Sequence, residues 1–398
     1  MLTFEEAKAT IVGAVSTLGR ETMLVRQSLG RVLARPLVTP CDFPAARISA
    51  VDGFALGDRE GGPYREVAVV AAGESLSRAL QPGECAAVMT GGMVPENTCC
   101  VVKVEEVEAT GASVRVPSVP DVDAFINAPG SECVAGTIFL EAGRRLTKAA
   151  YPAVFYAGIR QVDVYRRPRV GMLITGAEVR EVEQGHAPGQ VFNTNQYILE
   201  SLLHGVGLSC DVCMKVGEDA ESTRAALLRL VENCDVVVTS GGVSRGRSDH
   251  LQRILQDPPF RVLVNRTAIR PGSPLVAATW GERIVFGMPG YPAAFMTNAM
   301  LYLVPALKRQ MGLQRWDHQW ITATLQTPLH SKRGRVDVCR VELRVHYGRW
   351  EARGGVSQTT SRFLAFANTD GLAVLSEGVG DLGCGDCVPV LHFDVELS

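Results

Sequence analysis

Apolar residues recur at helical spacing over residues 3–19, and Thr3 with Glu6 forms a capping box, so the spacing predicts a helix there. Residues 26–38 carry a shorter helical or mixed pattern, broken by Pro40, Phe43 and Pro44. Short apolar runs at 66–71, 84–88, 99–106 and 113–116 are divided by Gly, Pro and Asn, which predicts a β-rich unit over 65–136, its end (122–136) of mixed turn character. Residues 144–156 read as helix ending near Gly158, and 162–165 as strand. The β-rich unit therefore reads as an insertion between pieces of one helical subdomain.

From Pro168 the rhythm changes. Strands at 169–174, 209–216, 236–239, 261–264 and 283–286 alternate with helices at 195–204, 219–232 and 249–255. A long helix at 292–309 follows, with proline near its start. Strands alternating with helices imply a parallel or mixed sheet covered on both faces. After about residue 312 the chain turns β-rich again, with strands at 319–325, 335–346, 372–375 and 388–395 and a Gly-rich stretch at 378–385. Lys332 to Arg335 is a small basic turn. The fold class is multidomain α/β and β. Its parts are an elongated helical subdomain (1–40 plus 137–167), an inserted β-rich domain (41–136), an α/β domain (168–312) and a C-terminal β domain (313–398).

The richest stretch runs from Cys234 to His250, CDVVVTSGGVSRGRSDH. A buried strand enters Thr239-Ser240-Gly241-Gly242, and Arg245, Arg247 and Asp249 follow. Strand, glycine turn, then charge is how an open α/β sheet builds a binding crevice, since glycine lets the backbone approach an anion. Three further glycine loops follow or flank strands: Thr175 to Glu178, Arg270 to Pro274, and Met288 to Pro292. Carboxyl ends of parallel strands share one edge, so these loops are expected to meet. Arg245, Arg247, Arg266 and Arg270 suit phosphate or another oxyanion. Glu178, Asp219 and Asp249 suit Mg²⁺, although Asp219 and Asp249 equally suit helix caps. Together they point to phosphoryl or pyrophosphate chemistry with a divalent ion, without the lysine signature of a P-loop ATPase. Asp52, in SAVDGFAL, lies outside the α/β domain, where it forms an Asx turn or reaches a neighbouring domain or partner subunit.

Composition narrows the class. The chain has 398 residues, 46% hydrophobic and 21% charged, with a formal charge of −2. That balance argues against nucleic-acid and membrane partners. The N-terminal residues do not read as a secretory signal and no apolar run is long enough to span a bilayer, so a cytoplasmic location is expected. Eleven cysteines, mostly in apolar runs, read as reduced packing residues. Cys210/Cys213 and Cys384/Cys387 have C-x-x-C spacing; the first pair falls on opposite faces of a strand.

Taken together, these segments resemble the molybdopterin molybdenumtransferases, which insert molybdenum into the pterin cofactor. The resemblance spans nearly the whole chain. It rests on Ser49 to Ala55, Met89-Thr90-Gly91 with Pro95 and Glu105, Thr175-Gly176-x-Glu178, and Asn193-Thr194-Asn195. Thr239 to Ser244 with Gly246 and Asp249, Arg270-Pro271-Gly272-x-Pro274, and Pro289-Gly290-x-Pro292 complete the set.

The resemblance implies a molybdopterin-binding α/β domain, a small C-terminal β-barrel-like domain and a homodimer whose cleft is shared between subunits. It implies conversion of adenylylated molybdopterin and molybdate to molybdenum cofactor and AMP, with Mg²⁺. It extends to transient contact with the preceding adenylyltransferase and with apo-molybdoenzymes. Asp249, Glu178, Asp219 and Glu218 would form the acidic, metal-side set. Gly241, Gly242 and Ser244 would bind nucleotide and phosphate, with Asn195, Pro271 and Gly272 beside them. Arg266 and Arg270 stand where the family has lysines and would bind phosphate or molybdate. Pro289 and Pro292 would shape the oxyanion pocket, and Asp52 would act across the dimer.

The chain also departs from the family pattern. Cys99 and Ala177 replace aspartates, Ser273 a lysine and Tyr291 an asparagine; Gly130-Ser131-Glu132 stands for Gly-Glu-Asp, and the C-terminal serine loop shrinks to Thr360-Ser361. Two alternatives follow: a non-catalytic molybdopterin-binding carrier or regulatory protein, and a paralogue that inserts tungstate.

Overall fold

The computed structural model describes residues 1–185, 187–217, 219–243, 250–355 and 357–397. The chain forms two compact units, one of Met1–Ala34, Gly143–Lys148 and Asp163–Ser398, the other of Arg35–Ala142 and Ala149–Val162.

The larger unit is built on a six-stranded sheet in the order Cys210–Val216, Val170–Thr175, Val236–Ser240, Arg283–Met288, Val276–Trp280, Arg261–Asn265. The first four strands are mutually parallel; Val276–Trp280 is antiparallel to both neighbours. All five residues of Val236–Ser240 are buried. Strand alternation sends Val236 and Val238 into one core and Val237 into the other, so both faces are covered. Helices Phe4–Gly13 and Asn195–Gly205 cover the first face, Ala220–Asn233 and His250–Gln256 the second. The Thr3–Glu6 capping box is present.

A second sheet in this unit closes on itself. Val336–His346, Arg349–Gly354, Trp320–Leu325, Cys387–His392 and Gly371–Leu375 pair in turn, and the last returns to the first. The short strand Ile269–Arg270 of the α/β domain adds to it in parallel, with Arg270 opposite Asp337. The end of the chain is held by a buried ion cluster. Glu396 accepts from Lys308 Nζ at 3.0 Å and the Gln319 amide at 2.9 Å, and lies 3.2 Å from His318 Nδ1. Burial pushes the Glu396 carboxyl up, but the His318 hydrogen bond and the Lys308 charge outweigh it and hold the group below its ordinary value.

The smaller unit carries a sheet in the order Cys100–Lys103, Gly53–Leu56, Glu84–Val88, Pro63–Val70, Ser113–Arg115, Glu108–Thr110. Cores lie on both faces, Leu56, Tyr64 and Val102 on one, Ala55, Val88 and Val101 on the other.

Several expectations need correction. Residues 144–156 are helical only over Ala150–Tyr156, because Leu33 and Leu146 amides and their partner carbonyls tie 144–146 to 30–33 as a backbone ladder. The first helix stops at Gly13, and 26–38 holds only the 3-10 turn Val25–Gln27 and a two-residue strand. The long helix is interrupted by a π-helical turn, Ala299–Leu303. The last strand ends at His392 and a short helix, Phe393–Leu397, follows. Gly53–Leu56, where the pattern predicts no strand, is an inner strand of its sheet: a Cβ on Gly53 would fall onto the Val102 carbonyl oxygen, so glycine there allows close strand approach.

All eleven cysteines are free thiols. Burial pushes Cys85, Cys100, Cys210 and Cys339 up to about 12. Cys210 and Cys213 alternate between the half-buried and exposed faces of their strand. Among the described residues no helix is long and apolar enough to cross a membrane.

Candidate functional site

The carboxyl ends of the parallel strands form the site. Val236–Ser240 runs into Gly241 at φ +93° and Gly242 at φ +74°, left-handed conformations that cost a side-chain-bearing residue about 1–2 kcal/mol. A Cβ on Gly241 would also come within 2.8 Å of Thr175 Oγ1. The turn is fastened to both neighbouring strands: Gly241 N donates to Met288 O at 2.9 Å, and Thr175 Oγ1 donates to Ser240 O at 3.0 Å.

Asn195, at the start of its helix and 5% exposed, ties the loops together. Its Nδ2 donates to Ser240 Oγ at 2.7 Å and to Gly290 O at 2.9 Å. Its Oδ1 is buried without a partner among the described residues, leaving an acceptor for a ligand or a water. Thr175-Gly176-x-Glu178, Asn193-Thr194-Asn195, the Gly241-Gly242 turn and Pro289 to Pro292 thus converge on one cavity of about 820 Å³. Phe192, Val191 and Phe363 give it apolar walls. Glu178 is exposed there, and its carboxylate lies 2.6 Å from where a Cβ on Gly176 would stand.

A second cavity, about 450 Å³, adjoins the first, and Pro274, Pro289 and Tyr291 line both. Its walls include Arg270, Pro271, Gly272 and Arg335. Gly272 sits at φ +111°, where a Cβ would come 2.5 Å from Asn298 Oδ1; Asn298 Nδ2 in turn donates to Pro274 O at 3.1 Å. Buried Asp337 accepts the Arg335 Nε–H at 3.1 Å, together with the Lys332 amide at 2.8 Å and the Ser331 hydroxyl at 3.2 Å. Arg335, held at Nε, thus lines the same cavity as Arg270. Two cations on one small cavity suit a doubly charged oxyanion.

Other expected residues lie elsewhere. Arg266 is half-buried at φ +70°, its amide donating to Leu275 O at 2.8 Å, and lines neither cavity. Asp219 caps the helix Ala220–Asn233, accepting from Ser222 N at 2.7 Å; the Ser222 hydrogen bonds hold its carboxyl below the ordinary value. Neighbouring Gly217 and Thr223 line the larger cavity, and Asp219 does not. Asp52 belongs to the smaller unit, where Thr90 donates to it from its amide at 2.6 Å and its hydroxyl at 2.9 Å. The Thr90 backbone hydrogen bond lowers the Asp52 carboxyl, and Val104 N donates to Asp52 O at 3.1 Å, so the Ser49 to Ala55, Met89 to Gly91 and Glu105 segments meet. Asp249, Ser244, Glu218, Arg245 and Arg247 lie outside the described residues. Among the described residues no cluster of three or more His, Cys, Asp or Glu has metal-binding geometry.

The C-terminal barrel contributes Arg335, which the sequence left unread, and the Thr360-Ser361 loop. Arg335 appears in the chain only as part of a basic turn. Thr360 lines the second cavity, Ser361 and Phe363 the first. Their segment is anchored by buried Arg340, whose Nη2 donates to the carbonyls of Ser357 and Thr359 and whose guanidinium lies 5.1 Å from the Phe366 ring centroid. No periodicity marks such a long-range attachment.

Comparison with known proteins agrees along the chain. Residues 2–158 match the MoeA N-terminal region (domain I and II), 171–309 the probable molybdopterin binding domain and 322–393 the MoeA C-terminal region (domain IV). A molybdopterin molybdenumtransferase of Nostoc sp. is 29% identical over 379 residues, covering 92% of this chain and 87% of that one. One of Staphylococcus epidermidis is 26% identical, covering 92% and 89%. A crystal structure of a molybdopterin biosynthesis MoeA protein from Pyrococcus horikoshii superposes with a TM-score of 0.85 at 27% identity over 99% of both chains.

Proposed function

The chain belongs to the MoeA family of molybdopterin molybdenumtransferases, and from that premise we propose how its two adjoining cavities carry out the transfer. Adenylylated molybdopterin and molybdate enter; molybdenum cofactor and AMP leave. The observation that carries this reading is the shared wall between an apolar-walled cavity of about 820 Å³ and an arginine-lined one of about 450 Å³.

The larger cavity takes the organic substrate, its phosphates at the Gly241-Gly242 turn, where the backbone can come close. The smaller takes molybdate, a dianion, between Arg270 and Arg335, with Pro289 and Pro292 shaping the loop between. Fixed cations next to a phosphoanhydride stabilise charge that develops as a water oxygen bonds to phosphorus, its protons passing to solvent, and the bridging P–O bond that links AMP breaks. Glu178 fits a hard cation: it is exposed in the cavity and pairs with no basic side chain among the described residues. Asp249, with Glu218, would complete that set, while Asp219 is taken up as the cap of its helix. Mg²⁺ bound there would neutralise phosphate oxygens. In this reading Gly272 and Pro271 hold the loop behind Arg270, and Arg266 supports the turn preceding it rather than touching the ligand. The proposal includes a cytoplasmic homodimer in which Asp52 serves the partner's cleft, the four-part domain division, and handover contacts with the adenylyltransferase and apo-molybdoenzymes.

The test is AMP release from adenylylated molybdopterin on addition of Mg²⁺ and molybdate, with tungstate in parallel. Binding without release would assign the protein as a carrier, and preference for tungstate would reassign its oxyanion. Asp249→Asn should leave folding intact and suppress release; an unchanged rate would remove Asp249 from the metal side.

A further inference from the structure

Tyr291 stands between the two cavities with a fixed backbone and a free ring. Its carbonyl accepts from Ala294 N at 3.1 Å and Phe295 N at 3.0 Å, as the N-cap of helix Pro292–Asn298. On one side Pro292 occupies the first turn of that helix; on the other the Gly290 carbonyl is held by Asn195. Gly290 lies against the phosphate turn, so that a Cβ there would be 3.8 Å from Gly241 Cα. Every backbone freedom that could move the residue is thus taken up. The side chain is the opposite case. It is 63% exposed, lines both cavities, and pairs with no other aromatic ring among the described residues. It does not plug the site, since the larger cavity keeps its 820 Å³ with the ring in its wall.

A tyrosine ring has only two side-chain torsions, so immobilising it against a ligand costs little entropy, and its face suits a flat partner. Phe192 and Phe363 add apolar wall to the larger cavity, and among the described residues Glu178 is the one carboxylate lining it, while the arginines line the neighbouring cavity. We propose that Tyr291 is a specificity-determining residue: its ring is the stacking face for a planar nitrogen heterocycle bound in the larger cavity, holding the attached phosphate next to the arginine-lined cavity. This rests on the reading that the larger cavity takes adenylylated molybdopterin, which carries two such heterocycles, adenine and pterin.

The experiment titrates the full-length protein and its Y291F and Y291A variants with AMP and, separately, with a free pterin, following heat and the quenching of pterin fluorescence. Y291A weakens at least one of the two ligands by about tenfold, as loss of one stacked ring implies, and Y291F restores the affinity. The ligand that responds identifies the ring. In turnover, Y291A raises KM for adenylylated molybdopterin and leaves KM for molybdate unchanged, a split that general loosening of the fold would not give. Wild-type affinity of Y291A for both ligands, or binding of neither by the wild type, overturns the proposal. AMP release by the wild type is scored separately: its absence with ring-dependent binding retained would sink the transferase reading alone, and its presence with an unaffected Y291A would sink the stacking role alone.

Discussion

Asn195 and Gly290 are joined by a single hydrogen bond, Nδ2 to carbonyl oxygen at 2.9 Å, although they sit on different helices' entry loops. The same amide nitrogen holds Ser240 Oγ at 2.7 Å, so one side chain sets the spacing between the glycine turn and the proline loop. Asn195→Ala leaves the buried Ser240 hydroxyl and the Gly290 carbonyl without their donor, at a cost of about 1–3 kcal/mol. The expected result is a melting temperature several degrees lower and a loss of AMP release. Asn195→Asp keeps the shape and loses the donor, so it should behave like the alanine variant in thermal unfolding.

The Asp337 carboxylate holds Arg335 at Nε and does not itself line the cavity. Asp337→Asn weakens the hold on Nε and should raise KM for molybdate while affinity for AMP stays at the wild-type value. Steady-state kinetics with molybdate as the varied substrate, beside AMP titration, checks the split. An equal loss for both ligands would mean that Asp337 serves the barrel's stability instead.

Gly241→Ala places a Cβ 2.8 Å from Thr175 Oγ1 on a residue at φ +93°. The backbone strain alone is about 1–2 kcal/mol. Reduced melting temperature and weakened AMP binding are expected together, measured by calorimetry. Gly378→Ala, at a position with open space around it and no left-handed requirement, is the matched control.

Glu84 provides a pH signature in the smaller unit. Arg78, then Arg65, then the Gln81 amide hydrogen-bond its carboxylate and hold it at about 2, against an ordinary value of 4.5. A depressed acid contributes stability above its unfolded pKa and loses it as pH falls through the folded one. Stability should therefore decline between about pH 4.5 and 2. Glu84→Gln should flatten that acid limb in unfolding curves taken across the same range.

The proposed homodimer with a shared cleft predicts complementation. Asp52→Ala and Glu178→Ala proteins, each silent in AMP release, should regain turnover when mixed and allowed to exchange subunits. Silence of the mixture would place Asp52 outside the catalytic assembly.

The parallel core is legible in the sequence because its inner strands are apolar runs closed by a glycine loop, as at Val236 to Gly242, while the edge strand Cys210–Val216 shows strict alternation. The gathering of Glu178, Gly241 and Pro289 follows from strand direction, whereas Asn195, which opens a helix, is placed there only by the family resemblance. Gly53–Leu56 is hidden because its glycine, a turn signal by composition, serves strand contact with Val102. Val276–Trp280 is missed because Pro274 and the Ala277-Ala278 pair dilute its pattern. Arg335 and Asp337 are invisible for another reason: their place depends on pairing with Ile269–Arg270, which only the folded chain brings together.

The distribution of thiols also decides how the molecule meets alkylating and oxidising reagents. Cys85, Cys100 and Cys339, pushed up to about 12, hold almost no thiolate at neutral pH. Cys41, Cys213, Cys384 and Cys387 are exposed, but desolvation pushes the Cys213 thiol up to about 11, so maleimide dyes would report first from Cys41 in the smaller unit and from Cys384 and Cys387 in the barrel while the sheet interiors stayed unmarked.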